Sequence, residues 1–271
     1  MSGAISFADC DLKDAKIVFF GVPYDSTTCF RPGTRFGPDS IRDASYNLEN
    51  YDLFLKKTTE GIADMGNVTP TTNYGEIREE IGSFFAVMGK RFPVVAGGEH
   101  SITPLIVEQV KKRHKNMHVL ILDAHLDFRE KYMGSSHSHA CSTRRTSEIV
   151  GIENVTVIGV RSASEAECEE ANLEYFTSFK VKSKLKEVCE RIKEINDDIY
   201  LSIDMDCFDP SFAPGVGNPE FYGLSPFEVR TIIESIGNMV GFDVVETNPL
   251  FDNGNTSCLA AKLIQEIVLR V

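Results

Sequence analysis

The stretch MHVLILDAHLDFRE, residues 117–130, raises the fold question and the functional question together. Its first half is a continuous apolar run of strand length, as expected of a parallel strand buried on both faces. It then closes on Asp123, His125 and Asp127, at every second position. Buried charges are costly unless they are paired or bound to a metal. Side chains two apart on a strand share a face. The three are therefore expected to converge, provided that extended geometry continues to the end of the run.

The rest of the chain repeats the pattern of apolar run followed by amphipathic segment. Strands are expected at 16–23 (KIVFFGVP), 92–98 (FPVVAGG), 155–161 (VTVIGVR), 199–206 (IYLSIDMD) and 241–249 (GFDVVETNP). Helices are expected in DSIRDASYNL, EIREEIGSFFAVMGK and SITPLIVEQVKKRH, at 183–196, after Ser225, and from about Asn255 to the end. Ser225 and Glu228 have capping-box spacing, and Pro226 takes the first helical position. Alternating β and α segments imply a parallel sheet with helices on both faces, here as one domain over 1–271. In such sheets ligands gather at the carboxyl ends of the strands.

Composition bounds the function. The apolar fraction of 42% and charged fraction of 25% are those of an ordinary globular protein. A net charge of −12 argues against nucleic acid or an anionic membrane as the main partner and is compatible with a cationic substrate. The start of the chain lacks the basic and apolar regions of a signal peptide, and no apolar stretch approaches the roughly 20 residues of a membrane span. Seven scattered cysteines without CxxC spacing read as reduced thiols, which points to the cytoplasm.

Two further strand ends carry the same kind of residue. LSIDMD closes on Asp204 and Asp206, and VVAGG runs into Glu99, His100 and Ser101. Alone, a DxHxD segment is a solvated strand end or salt-bridge group about as often as a metal site. Together, three such ends at one sheet edge favour the metal reading. Four aspartates and two histidines without a thiolate suit manganese better than zinc or iron. Two divalent ions about 3.5–4 Å apart lower the pKa of a shared water and supply a nucleophile at neutral pH.

GGEHS (97–101), DAHLD (123–127) and SIDMDCFDPSFAPGVGNPE (202–220), with PYDSTTCFRPGTRFGPDSIR and GFDVVETNPLFD, resemble the signature blocks of the ureohydrolase family, which includes arginases and agmatinases. The similarity covers nearly the whole chain. It implies a three-layer α/β/α sandwich around a mainly parallel eight-stranded sheet, commonly assembled as a homotrimer or homohexamer. It implies two Mn²⁺ per subunit, one on His100 and Asp127, the other on His125 and Asp206, with Asp123 and Asp204 bridging. Glu99, often aspartate in the family, is not among these ligands. Glu246 matches the glutamate that orients the substrate guanidinium, and His139 the histidine that shuttles protons, with His137 as its rival.

By the same resemblance the reaction is hydrolysis of a guanidinium group to urea and an amine. After DAHLD, arginases carry an asparagine-containing stretch that reads the amino-acid end of arginine. Here FREKYMGSSHSHACSTRR resembles the agmatinase branch, so agmatine is the expected substrate. Arginine, guanidinobutyrate and aminopropylagmatine are alternatives. Formimidoylglutamate is another, kept open by Arg144 and Arg145, although salt bridges are the preferred reading of both. A non-catalytic binding protein on the same scaffold would be expected to have lost ligands, and all six are present.

Overall fold

The computed structural model describes residues 4–271. Eight strands form one sheet: β1 (Ile17–Val22), β4 (Ile62–Asn67), β5 (Phe92–Gly97), β6 (Met117–Leu122), β7 (Val155–Val160), β8 (Glu174–Thr177), β9 (Asp198–Asp204) and β10 (Met239–Val245). Two residues each of β2 (Tyr51–Asp52) and β3 (Lys57–Thr58) pair separately as an antiparallel ribbon. The sheet order is β4-β1-β5-β10-β9-β6-β7-β8, and every pairing is parallel.

Strand alternation divides the interior into two cores. Ile17, Phe19, Leu120, Leu122, Leu201 and Ile203 face one side, while Val18, Phe20, Val119, Ile121 and Tyr200 face the other. The first side is covered by α1 (Gly37–Ser45), α6 (Ser178–Lys193), α7 (Pro226–Ile233) and α8 (Asn255–Val268). The second is covered by α2 (Tyr74–Met88), α3 (Thr103–Lys111) and α4 (Ser142–Val150). This is the three-layer sandwich that the alternating pattern demands. Each buried Leu or Ile contributes roughly 1.5–3 kcal/mol through burial, and both faces of the central strands are mainly apolar, with Ser202 and Asp243 as buried polar exceptions on β9 and β10.

The expected strands and helices are present, and, besides the β2–β3 ribbon, four further strands and α-helices are additional. β4 (IADMGN) and β8 (EYFT) are edge strands, and α4 (STRRTSEIV) and α5 (Glu165–Glu170) are polar helices. None has an apolar run or stripe strong enough to read from sequence. The helix expected at 183–196 is the second half of α6, which begins at Ser178 on a Thr177 cap and breaks at Lys184. The capping box at Ser225 forms as expected.

Topology places the functional edge. The chain passes from β5 through α3 to β6, and later inserts β9 and β10 between those two strands. The carboxyl ends of β5, β10, β9 and β6 therefore stand side by side across a topological switch point, where a crevice opens in a parallel sheet. No helix among the described residues is long and apolar enough to cross a membrane.

Candidate metal centre

Those four ends bring His100, Asp123, Asp127, Asp204, Asp206 and Glu246 into one buried cluster, with His125 half-buried beside it. The extended-strand rationale for their convergence does not hold. β6 stops at Leu122 and β9 at Asp204. Each strand then gives way to a side-chain turn. Oδ1 of Asp123 accepts the backbone N–H of His125 at 2.6 Å, and Oδ1 of Asp204 accepts that of Asp206 at 2.7 Å. An aspartate that captures the amide two residues on replaces a ladder bond and bends the chain. The spacing of two is thus the spacing of that turn.

Two cluster residues occupy left-handed backbone: Asp127 at φ 48° and Glu246 at φ 63°. Non-glycine residues there cost about 1–3 kcal/mol each and are kept where the surroundings fix them. The N–H of Glu246 is bonded to the Gly98 carbonyl at 2.7 Å, and the Asp127 carbonyl accepts from the N–H of Arg144 at 3.3 Å.

Nδ1 of His100 lies 3.0 Å from Oδ2 of Asp123, 3.3 Å from Oδ2 of Asp204 and 3.5 Å from Oδ2 of Asp127. Nδ1 of His125 lies 2.9 Å from Oδ2 of Asp206 and 3.5 Å from Oδ1 of Asp123. Two triplets, His100 with Asp123 and Asp204, and Asp123 with His125 and Asp206, each present donor atoms within 4.8 Å of one another. Asp123 belongs to both. Nδ1 of His100 and Oδ2 of Asp123 are buried and make no hydrogen bond despite their separation. Such atoms cost free energy unless something else meets their lone pairs. Donors converging on a common point from several directions fit a divalent cation.

Electrostatics agree. Burial alone would lower the pKa of His100, yet the carboxylates of Asp123, Asp127 and Asp204 drive it well above its usual value. Burial is opposed in the same way at His125, chiefly by Asp206. Burial and the negative charges of Asp206 and Asp123 raise the pKa of Asp204 well above the carboxylate range. Asp127 is pushed up to about 7 by burial and by Asp123. Four carboxylates this close cannot all ionise without positive charge among them.

Nε2 of His100 lies 3.2 Å from Oγ of Ser202, whose hydroxyl donates to Oδ1 of Asp243 at 2.6 Å. Oδ2 of Asp243 takes the hydroxyls of Tyr200 and Thr103 at 2.7 and 3.1 Å. This network makes Nε2 the protonated nitrogen and leaves the Nδ1 lone pair aimed at the cluster, as outer-shell partners of metal-binding histidines do.

The cluster opens into a cavity of about 310 Å³ bordered by Glu246, His139, Cys29, Arg129, Glu167 and Glu220 among others. Oε1 of Glu246 accepts the backbone N–H of His100 at 2.8 Å. His139 is buried at the wall. Its backbone N–H donates to Oγ of Thr27 at 3.0 Å, and its Nδ1 lies 3.2 Å from the same oxygen. The Thr27 hydroxyl donates to Oε1 of Glu99 at 2.6 Å, so Oγ is left to accept, Nδ1 carries the proton, and Nε2 faces Sγ of Cys29 at 3.6 Å. Burial, with the nearby positive charges of His125 and His100, lowers the His139 pKa to about 4. His137 is elsewhere: exposed, and stacked on Tyr74 with ring centroids 4.4 Å apart. Arg144 and Arg145 pair with Glu130, Glu148 and Glu170 and do not line the cavity. Cys207 is core, as expected.

Sequence reasoning passed over Thr27, Ser202, Asp243 and Arg161. The Arg161 guanidinium donates to the carbonyls of Asp206, Phe208 and Glu220 at 2.6, 3.1 and 2.9 Å, so it ties the metal-site turn to the rim of the cavity. Only VIGVR ending on an arginine at a strand end offered a signal for it.

The family model described as "Arginase family" matches residues 15–269. The chain belongs to the arginase family. It is 36% identical to an agmatinase of Halalkalibacterium halodurans over 95% of this chain and 92% of that one. It is 32% identical to an N(1)-aminopropylagmatine ureohydrolase of Thermococcus kodakarensis, over 96% and 92% of the two chains. The crystal structure of the agmatine ureohydrolase of Thermoplasma volcanium superposes with a TM-score of 0.93 at 39% identity, covering 98% and 93%. The arginase-like sandwich is therefore as expected, and the chain is a C–N hydrolase of the ureohydrolase type, most like agmatinases. The family depends on a binuclear metal centre, and the two triplets here are able to bind metal.

Proposed function

We propose that the protein hydrolyses agmatine to putrescine and urea with two Mn²⁺ held by His100, Asp123, His125, Asp127, Asp204 and Asp206. The observation that carries this reading is the buried, unbonded pair His100 Nδ1 and Asp123 Oδ2, 3.0 Å apart among three further aspartates. An all-oxygen-and-nitrogen donor set of this kind favours manganese. When bound, the ions supply an acidified water at neutral pH and a positive field for charge developing at the reacting carbon.

The remaining work falls to the chain. Glu246 is buried, with one carboxylate oxygen engaged by the His100 amide and the side chain lining the cavity, so it suits orienting the guanidinium N–H groups. Asp127 accepts a hydrogen bond from the attacking water. His139, neutral and protonated at Nδ1, offers Nε2 as a base. It takes a proton from the water and delivers it to the departing amine, so that guanidine plus water gives urea plus amine. The free cysteines agree with a reducing, cytoplasmic setting.

An acidic substrate such as formimidoylglutamate is disfavoured. The cavity's arginine, Arg129, is paired with Glu167 at 3.1 Å and lies over the Tyr132 ring, while Arg144 and Arg145 are committed elsewhere. The test is urea release by manganese-loaded protein offered agmatine, arginine and guanidinobutyrate in turn. Agmatine is expected to give the highest kcat/KM. Preference for arginine would refute the substrate, and an undiminished rate in metal-free protein would refute the chemistry.

A further inference from the structure

We infer that Glu220 is the residue that reads the far end of the substrate, selecting a terminal ammonium over a neutral or anionic tail. The inference rests on the guanidine-hydrolase reading above and extends it to the other end of the molecule.

The backbone from Val216 to Glu220 links the two ends. Val216 bridges to Thr247, next to Glu246. Gly217 lies against the Glu246 side chain so closely that a Cβ there would come within 2.8 Å of Oε2. Three residues on, the Glu220 carboxylate is 3.9 Å from Nε2 of His125, a member of the donor cluster. Three residues reach at most about 10 Å. The segment therefore borders the cavity between the carboxylate that faces the guanidinium and a second carboxylate, within a reach of at most about 10 Å that a short diamine chain can bridge. Asn218 and Glu220 both border the cavity.

Glu220 is also held in place, with its carboxylate uncommitted. Its carbonyl accepts from Nη2 of Arg161 at 2.9 Å, and the same nitrogen holds the carbonyl of Asp206 at 2.6 Å. The rim is thereby fixed to the turn that carries a donor of the cluster. The Glu220 side chain is 41% exposed, and His125 is its one charged neighbour within 4 Å among the described residues.

The other rim carboxylate, Glu167, is fully engaged. It takes the N–H of Phe128, the N–H and hydroxyl of Ser164, and the guanidinium of Arg129. That pairing also neutralises the cation that would otherwise attract an anionic tail. What the rim has to offer an incoming chain is therefore the negative charge of Glu220. A carboxylate at each end of a short groove recognises a dication, with guanidinium at Glu246 and ammonium at Glu220.

The test compares agmatine with butylguanidine, which keeps the guanidinium and the chain and lacks the amine. Both are assayed for urea release by manganese-loaded wild type and Glu220→Gln. The ratio of kcat/KM for agmatine to that for butylguanidine is expected to fall roughly tenfold to a hundredfold in the variant, the range for losing a charge-assisted contact. Taking the ratio cancels any effect on the ions or on folding. Glu220→Lys is expected to shift preference from agmatine toward guanidinobutyrate, whose tail is anionic. An unchanged ratio in Glu220→Gln, or an unchanged agmatine-to-guanidinobutyrate ratio in Glu220→Lys, would overturn the assignment. Absence of urea from every guanidine in the wild type would instead overturn the parent reading.

Discussion

The two histidines of the cluster live in different worlds. The His100 side chain is 1% exposed, and its far nitrogen is tied through Ser202 to Asp243, both of whose oxygens are engaged. The His125 side chain is 22% exposed, and among the described residues its far nitrogen has Glu220, 3.9 Å away, as its one charged partner. One half of the centre is thus built into the sheet, between β5 and the buried polar network of β9 and β10. The other stands on a loop beyond β6 and faces the cavity. Orientation paid for during folding need not be paid again on binding. On the metal reading proposed above, the inner half is expected to be the tighter ion site, and the outer half the one that adapts to substrate.

The contrast breaks most completely at the residue the halves share. Asp123 belongs to both donor triplets, and Asp206 only to the outer one. Asp123→Ala is expected to lose both ions and to reduce urea release to background. Asp206→Ala is expected to lose one ion and keep the other. Manganese counted by atomic emission after desalting distinguishes the two. One tightly held ion in Asp123→Ala would show that the halves do not depend on a common carboxylate.

A smaller effect isolates the inner half. Asp243→Asn keeps the volume, but its amide group cannot accept from Ser202, Tyr200 and Thr103 as the carboxylate does. Loss of an outer-shell partner typically costs about 10–100-fold in metal affinity. That loss is expected for one ion, with the second within about threefold of wild type, in a manganese titration followed by electron paramagnetic resonance. Equal weakening of both would mean that Asp243 supports the whole edge of the sheet rather than the orientation of His100.

Legibility in the sequence depends on where the information lies. The central strands announce themselves because both of their faces are buried, and the donors because charges that end an apolar run need a reason. The edge strands β4 and β8 have one open side and mixed polarity, so no pattern marks them. Convergence of the donors follows from the sequence by a different route than pleated alternation: the chain uses side-chain turns at Asp123 and Asp204 and left-handed backbone at Asp127. Asp243 and Thr27 were invisible for a different reason. Their partners are 41 and 112 residues away, at Ser202 and His139, and nothing local reports a bond of that separation.

The smallest expected effect sharpens the outer half. If Glu220 served as an outer-shell partner of His125, its removal would weaken the second ion by the same 10–100-fold as Asp243→Asn. Distance decides against that. At 3.9 Å the carboxylate is beyond hydrogen-bond reach of Nε2, and its 41% exposure leaves the pair largely screened by water. Exposed pairs contribute about 0–1 kcal/mol, so Glu220→Gln is expected to change affinity for the second ion by less than about fivefold. The same manganese titration reads it. A loss in the Asp243→Asn range would bind Glu220 to the metal centre rather than to the substrate tail, and the outer half would then be braced much as the inner half is. A change near unity, alongside a fall in the agmatine-to-butylguanidine ratio, would separate the group that reads the ligand from the groups that hold the ions.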